Sequence, residues 1–286
     1  MLDPRHVEVN GVRLACDDVG EGPAILFIHG FMFDRTVWRS QVAAFERWRR
    51  IAPDLRGHGL SEAPERDYGM ATYADDLAAL LDALGVRRTV LCGLSMGGYI
   101  AFEFLRRHRD CVAGLAIIGA RAEADSPARR AKRNIMIARA RKSGSKALAD
   151  ELAPKFLAES ASNEIKKQLR EMMAHTSLNG IVGALEAMRD RPDSTPLLRK
   201  LAGVPTLLLI GERDARTPRA SMQAMADQIP GANFYVIPDA GHAAPIENAA
   251  AVTSRLREFL HGLSTGELLI PATDQLRTPS SGDGYE

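Results

Sequence analysis

Cysteine is scarce: Cys16, Cys92 and Cys111 make an odd number with no CxxC or metal-ligand spacing. That excludes a disulfide scaffold and a zinc module as the basis of the fold. Cys92 and Cys111 sit in apolar runs, where a thiol acts as a small buried hydrophobe. No stretch of eighteen apolar residues occurs, so no segment reads as a membrane-spanning helix. The opening MLDPRHVEVNGVRLAC contains no apolar signal core. Charge of one sign is lacking too: 37 Lys and Arg face 36 Asp and Glu, a net charge of +1. No overall field therefore points to nucleic acid or an anionic membrane as partner. The expectation is a reduced, cytoplasmic protein.

What is present is apolar material for one sizeable core, with 45% hydrophobic and 26% charged residues in 286. Short apolar runs alternate with longer amphipathic stretches, the signature of βαβ units and a mostly parallel sheet. Strand-like runs lie at His6–Val9, Val12–Asp18, Ala24–Ile28, Arg50–Ala52, Thr89–Cys92, Val112–Ile118, Pro205–Ile210 and Asn233–Ile237. Asn10-Gly11 between the first two is a hairpin signal. Helical patterns occupy about 36–46, 70–84, 97–108, 218–229 and 246–261. The expected fold is α/β: a mostly parallel eight-stranded sheet with helices on both faces.

One interval breaks the rhythm. Residues 121–195 hold no strand-like run but four amphipathic stretches, near 127–142, 145–158, 162–175 and 178–190. They predict a helical cap inserted after the sixth strand, leaving 1–120 and 196–262 as the core. Residues 121–200 carry 17 Lys and Arg against 10 Asp and Glu. A solvated helical surface accounts for most of that excess; a cationic entrance favouring acidic substrates is the other reading. Residues 263–286 are rich in Ser, Thr, Pro and Gly without period, which predicts a flexible tail.

The strongest chemical signal is Gly93-Leu-Ser95-Met96-Gly97, a G-x-S-x-G between an apolar strand and a helical pattern. A serine hydroxyl needs a base in reach, so it must project from the end of a rigid strand. The turn that achieves this requires small neighbours, and Gly93 and Gly97 meet that need. The N–H of Met96 then faces a developing oxyanion. His29-Gly30-Phe31 at the end of another strand supplies a second backbone donor, from Phe31, with His29 bracing the turn. Two later strands end in Gly211-Glu-Arg-Asp214 and in Asp239-Ala-Gly241-His242. The order Ser95, Asp214, His242 gives nucleophile, orienting acid and base, all at the carboxyl edge of the sheet. Glu212 and Asp239 are rival acids. Asp54, Arg56 and His58 in the loop PDLRGHGLS suggest a relay or metal site, but a hydrogen-bonded brace is the better reading. No other cluster of His, Cys and carboxylates forms a metal set.

The segments PDLRGHGLS, GLSMGG, GERD and AGH together resemble the α/β-hydrolase superfamily over roughly residues 5–262. Within it the chain is most similar to small capped bacterial esterases and lactonases, including 3-oxoadipate enol-lactonase. The sibling patterns differ: haloalkane dehalogenases and epoxide hydrolases have aspartate where this chain has Ser95. Proline iminopeptidases have tryptophan at the position of Met96, and haloperoxidases Trp-Pro at Phe31-Met32. The resemblance implies a cofactor-free ester or lactone hydrolase working on a small molecule through an acyl-enzyme. The rivals are a carbon–carbon bond hydrolase of a vinylogous diketone and a weakly catalytic ligand receptor. A pocket walled by Ile135, Met136, Met172, Met173 and Met188 would be aliphatic and adaptable, although helical spacing also makes these ordinary packing residues.

Overall fold

The computed structural model describes residues 3–264. It opens with β1 (Arg5–Val9) and β2 (Val12–Val19), joined at Asn10 and Gly11, both at positive φ as a type I′ turn requires. Next come β3 (Ala24–Ile28), α1 (Arg39–Ala44), β4 (Arg49–Pro53), α2 (Met70–Ala83), β5 (Thr89–Leu94), α3 (Met96–Arg107) and β6 (Val112–Ile118). The helical segment holds α4 (Pro127–Leu152), α5 (Asn163–Ala174), α6 (Leu178–Asp190) and α7 (Thr195–Leu198). β7 (Thr206–Gly211), α8 (Arg219–Ala226), β8 (Asn233–Ile237), α9 (Ala244–Glu247) and α10 (Ala249–Ser264) complete it.

The strands form one eight-stranded sheet in the order β1-β2-β4-β3-β5-β6-β7-β8. The β1–β2 and β2–β4 pairings are antiparallel and the rest parallel. β3, β5, β6 and β7 are buried along their whole length, which explains their continuous rather than alternating apolar sequence. Helix α3 lies against β3, β5 and β6 and packs on α2, while α8 and α10 lie against β7 and β8. The sheet therefore delivers the ends of β3, β5, β7 and β8 to one edge.

One boundary agrees with the sequence expectation and one differs. The stretches 127–142 and 145–158 form two helical halves of α4, broken at Gly144, whose φ of 77° lies outside the helical range. Each half presents its own apolar stripe, so the sequence pattern splits where the axis turns. Helix α10 runs to Ser264 with Leu263 buried, past the expected start of the tail at 263; the remaining tail, 265–286, lies outside the described residues.

The helical segment is fixed to the sheet domain at close contacts. Ser177 Oγ donates to the Gly57 carbonyl at 2.8 Å, and Thr176 Oγ1 donates to the Met32 carbonyl at 3.2 Å. The carboxylate of Asp125, 1% exposed, pairs with Arg133 on α4 at 3.0 Å and with Arg191 beyond α6 at 2.7 Å. That buried triad ties the start of α4 to the end of α6.

Candidate active site

Ser95 stands between the last residue of β5 and the first of α3 with φ 55° and ψ −111°. A non-glycine residue there stores about 1–3 kcal/mol, and the surroundings must enforce it. They do: the Ser95 N–H donates to the Ile118 carbonyl at 2.8 Å, and its own carbonyl accepts from Gly98 N at 2.9 Å. A Cβ at Gly97 would collide with the Ile28 carbonyl oxygen, and one at Gly93 with the Gly97 carbonyl. Both glycines are thus needed for close approach between β3, β5 and α3. Helix α3 starts at Met96, one residue earlier than the glycine pattern implied. The Met96 N–H is therefore among the amides that a helix start leaves without an intrahelical acceptor.

At the end of β3, His29 is fully buried between two backbone groups. Its Nδ1 donates to the Gly30 carbonyl at 2.9 Å, and its Nε2 accepts from Leu55 N–H at 2.9 Å. Burial lowers its pKa to about 4, so the ring is neutral and holds the Phe31 turn to the Asp54–Ser61 loop. That loop is internally braced. Asp54 pairs with Arg35 at 2.6 Å and accepts from Leu60 N, and Arg56 makes a bidentate pair with Asp76 at 2.6 and 2.8 Å. The His58 ring packs 5.1 Å from that of His29. None of these three loop side chains lines the Ser95 cavity.

His242, 3% exposed, bonds through Nδ1 to Asp214 Oδ2 at 2.8 Å. The Asp214 side chain is 1% exposed and its other oxygen accepts from the N–H groups of Arg216 (2.7 Å) and Thr217 (2.9 Å). Burial pushes the Asp214 pKa up, but the histidine and the two amides outweigh it and hold the carboxyl below its ordinary value. The rival acids sit elsewhere: Glu212 accepts from Asp239 N–H at 3.1 Å, and Asp239 pairs with Arg213 at 2.7 Å, both at the surface. Sequence reasoning missed Glu247. It accepts from Gly241 N at 3.0 Å and Ala158 N at 2.6 Å, joining the His242 loop to the helical segment. Only its place five residues after His242, at the end of a short apolar run, hints at this in the sequence.

Ser95, His242 and Phe31 line one cavity of about 240 Å³. Tyr99, Met136, Met188 and Phe156 supply its less polar wall, and the Phe156 ring lies 5.3 Å from that of His242. The aliphatic pocket considered from the sequence is not what forms. Met136 and Met188 reach the cavity, Met172 and Met173 are packed elsewhere, and Ile135 is 55% exposed. The rest of the wall is cationic, with Arg121, Arg129, Lys132, Arg133 and Arg216 against one carboxylate, Asp125. The signal was present in the charge excess after residue 121 and in the helical spacing of Arg129, Lys132, Arg133 and Met136 on α4. Among the described residues, no group of three or more His, Cys, Asp or Glu is arranged to hold a metal ion, and no helix is long and apolar enough to cross a membrane.

A family model for the alpha/beta hydrolase fold matches residues 23–249. The chain belongs to the α/β-hydrolase family. An AB hydrolase superfamily protein, YisY, of Bacillus subtilis (strain 168) is 30% identical over 260 residues, 87% of this chain and 95% of the relative. A thermophilic esterase from Thermogutta terrifontis, solved with malate bound, is 40% identical, with a TM-score of 0.87 over 92% of this chain and 99% of that one. The enol-lactonase from Burkholderia xenovorans LB400 is 30% identical, with a TM-score of 0.83 over 90% of this chain and 100% of its own. The chain is thus an α/β-fold hydrolase with esterase and lactonase homologues.

Proposed function

We propose that this hydrolase cleaves a carboxylic ester or lactone of a small molecule through an acyl-enzyme on Ser95. His242 is the base and Asp214 the group that orients it. The observation that carries the reading is the short Asp214–His242 hydrogen bond beside a strained Ser95 in a shared cavity. With Nδ1 engaged by Asp214, the imidazole has Nε2 left for the serine hydroxyl.

In the proposed cycle Ser95 Oγ bonds to the carbonyl carbon as its proton passes to His242. The oxyanion is held by the backbone N–H groups of Phe31 and Met96. The carbon–oxygen bond to the leaving group then breaks, and His242 returns the proton to the departing alkoxide. A water molecule, deprotonated by His242, attacks the acyl-enzyme and releases the acid and free Ser95. One water is consumed; with a lactone the alcohol and acid leave as one molecule. The segment 121–195 is on this reading a cap, since Met136, Phe156 and Met188 bring it over Ser95. The three free thiols and the balanced charge support a cytoplasmic enzyme that works without a cofactor.

The test is labelling with a fluorophosphonate followed by intact mass and peptide mapping. One adduct at Ser95, lost when His242 is replaced by Asn, is expected; no adduct on folded protein contradicts the serine mechanism. Turnover of vinylogous diketones in preference to aryl esters would replace the ester reading with carbon–carbon hydrolysis.

A further inference from the structure

The cavity beside Ser95 holds more positive charge than its own carboxylates neutralise. Both oxygens of Asp125 are committed, one to Arg133 and one to Arg191. Among the described residues no carboxylate pairs with Arg121, Arg129, Lys132 or Arg216. Elsewhere on α4 the pattern differs: Arg130 pairs with Asp190 and Arg139 with Glu151. Of the three α4 cations that line the cavity, Arg133 is paired with Asp125, while Arg129 and Lys132 have no carboxylate in salt-bridge reach among the described residues.

Arg121 and Arg216 form the inner part of this group. The Arg121 guanidinium donates to Ser221 Oγ and to the Arg216 carbonyl, both at 3.2 Å, and both partners are neutral. The Arg216 guanidinium lies 4.8 Å over the Phe156 ring, the same ring that packs on His242. Burial, then the neighbouring charge of Arg129, holds Arg121 below the ordinary arginine pKa; burial, then Arg133, does the same to Arg216. Two half-buried guanidinium groups thus lie at the cavity with no carboxylate in salt-bridge reach among the described residues; Glu123 and Asp214 act on Arg121, and Asp214 on Arg216, only at longer range. The nearby carboxylate of Asp214 already serves His242. Planar guanidinium groups in this situation match a carboxylate, which can accept two parallel hydrogen bonds from a fork.

We infer that the substrate carries a carboxylate besides the bond that is cleaved, seated on Arg121 and Arg216, with Arg129 and Lys132 at the outer wall drawing it in. The inference rests on the ester or lactone hydrolase reading and names the substrate class for that site.

The experiment compares kcat/KM for two matched pairs of aryl esters. Mono-4-nitrophenyl adipate against 4-nitrophenyl hexanoate places the charge on the acyl side. 4-Carboxyphenyl butyrate against its methyl ester places it on the alcohol side. The anionic member of at least one pair is expected to win by about tenfold or more at low ionic strength. The preference should shrink in about 1 M sodium chloride, where charges are screened within about 3 Å. Arg121→Gln should cut the anionic-to-neutral ratio about tenfold, with Arg121→Lys recovering part of it. The exposed Lys132→Gln, which touches no packing, should cut it by a smaller factor. Neutral members turned over as well as or better than anionic ones in both pairs would overturn the inference while leaving the hydrolase reading intact. A preference that neither substitution changes would overturn the assignment to these residues. No hydrolysis of any of the four by folded wild type would instead remove the hydrolase reading beneath it.

Discussion

At Ser95 the backbone and the chemistry make linked demands. A φ of 55° is unfavourable for serine, yet it places Ser95 in the cavity that His242 also lines and leaves the Met96 amide without a helical acceptor. On the proposed mechanism the choice of acid rests on local backbone geometry. The turn after Asp214 lets two amides and one imidazole converge on its carboxylate, whereas Glu212, two residues earlier, points to the surface. Asp214→Asn is therefore expected to lower kcat by roughly 10³–10⁴-fold through loss of the correct histidine tautomer. Glu212→Gln should stay close to wild type, and steady-state kinetics on one aryl ester checks both. Equal losses in the two variants would contradict the assignment. The candidate residues of this site stand out in the sequence because each lies where an apolar run stops at a glycine-bearing turn. The cationic wall was less legible. A charge excess along 121–200 gives no indication of which cations find partners, and only the packed structure separates Arg130, paired, from Arg129, unpaired.

Among the elements, α6 shows how the helical segment is seated. A Cβ on Gly180 would overlap the carbonyl of Gly57, so α6 rests directly on the backbone of the PDLRGHG loop. That loop is in turn tied to the Phe31 turn through His29. Gly180→Ala is expected to destabilise the protein by about 2 kcal/mol as α6 is forced outward. Urea unfolding at neutral pH checks it, and unchanged stability would mean that α6 has room to move. The eight strands and their mostly parallel arrangement follow from patterns legible in the sequence; the strand order does not. Continuous apolar runs mark the central strands, and Asn10-Gly11 marks the first hairpin. The break at Gly144 was legible too, because the amphipathic pattern restarts after it. The Gly57–Gly180 contact was not: it joins residues far apart in sequence and leaves no periodic trace.

Across the whole molecule, charge is separated: the segment 121–200 is strongly basic, yet the net charge is +1. Buried histidines set how stability responds to acid. Burial, and then the neighbouring His29, lowers the His58 pKa from 6.5 to about 3, and burial lowers that of His29 to about 4. Below pH 6.5 the unfolded chain protonates these rings and the folded chain does not, so the unfolded state binds more protons and stability falls as pH falls. Each ring adds a slope of up to about 1.4 kcal/mol per pH unit, ending near its folded pKa. His58→Gln should make the loss of stability between pH 6 and about 4 shallower by that amount. Identical slopes for variant and wild type, from denaturant melts across that range, would contradict it.

The serine mechanism itself is tested most directly by turnover of 4-nitrophenyl esters from acetate to octanoate, with wild type and Ser95→Ala side by side. The expected result is measurable hydrolysis by wild type and a loss of roughly 10⁴-fold or more in kcat for the variant, with its fold intact by circular dichroism. Near-wild-type turnover by Ser95→Ala would contradict the assignment of Ser95 as nucleophile.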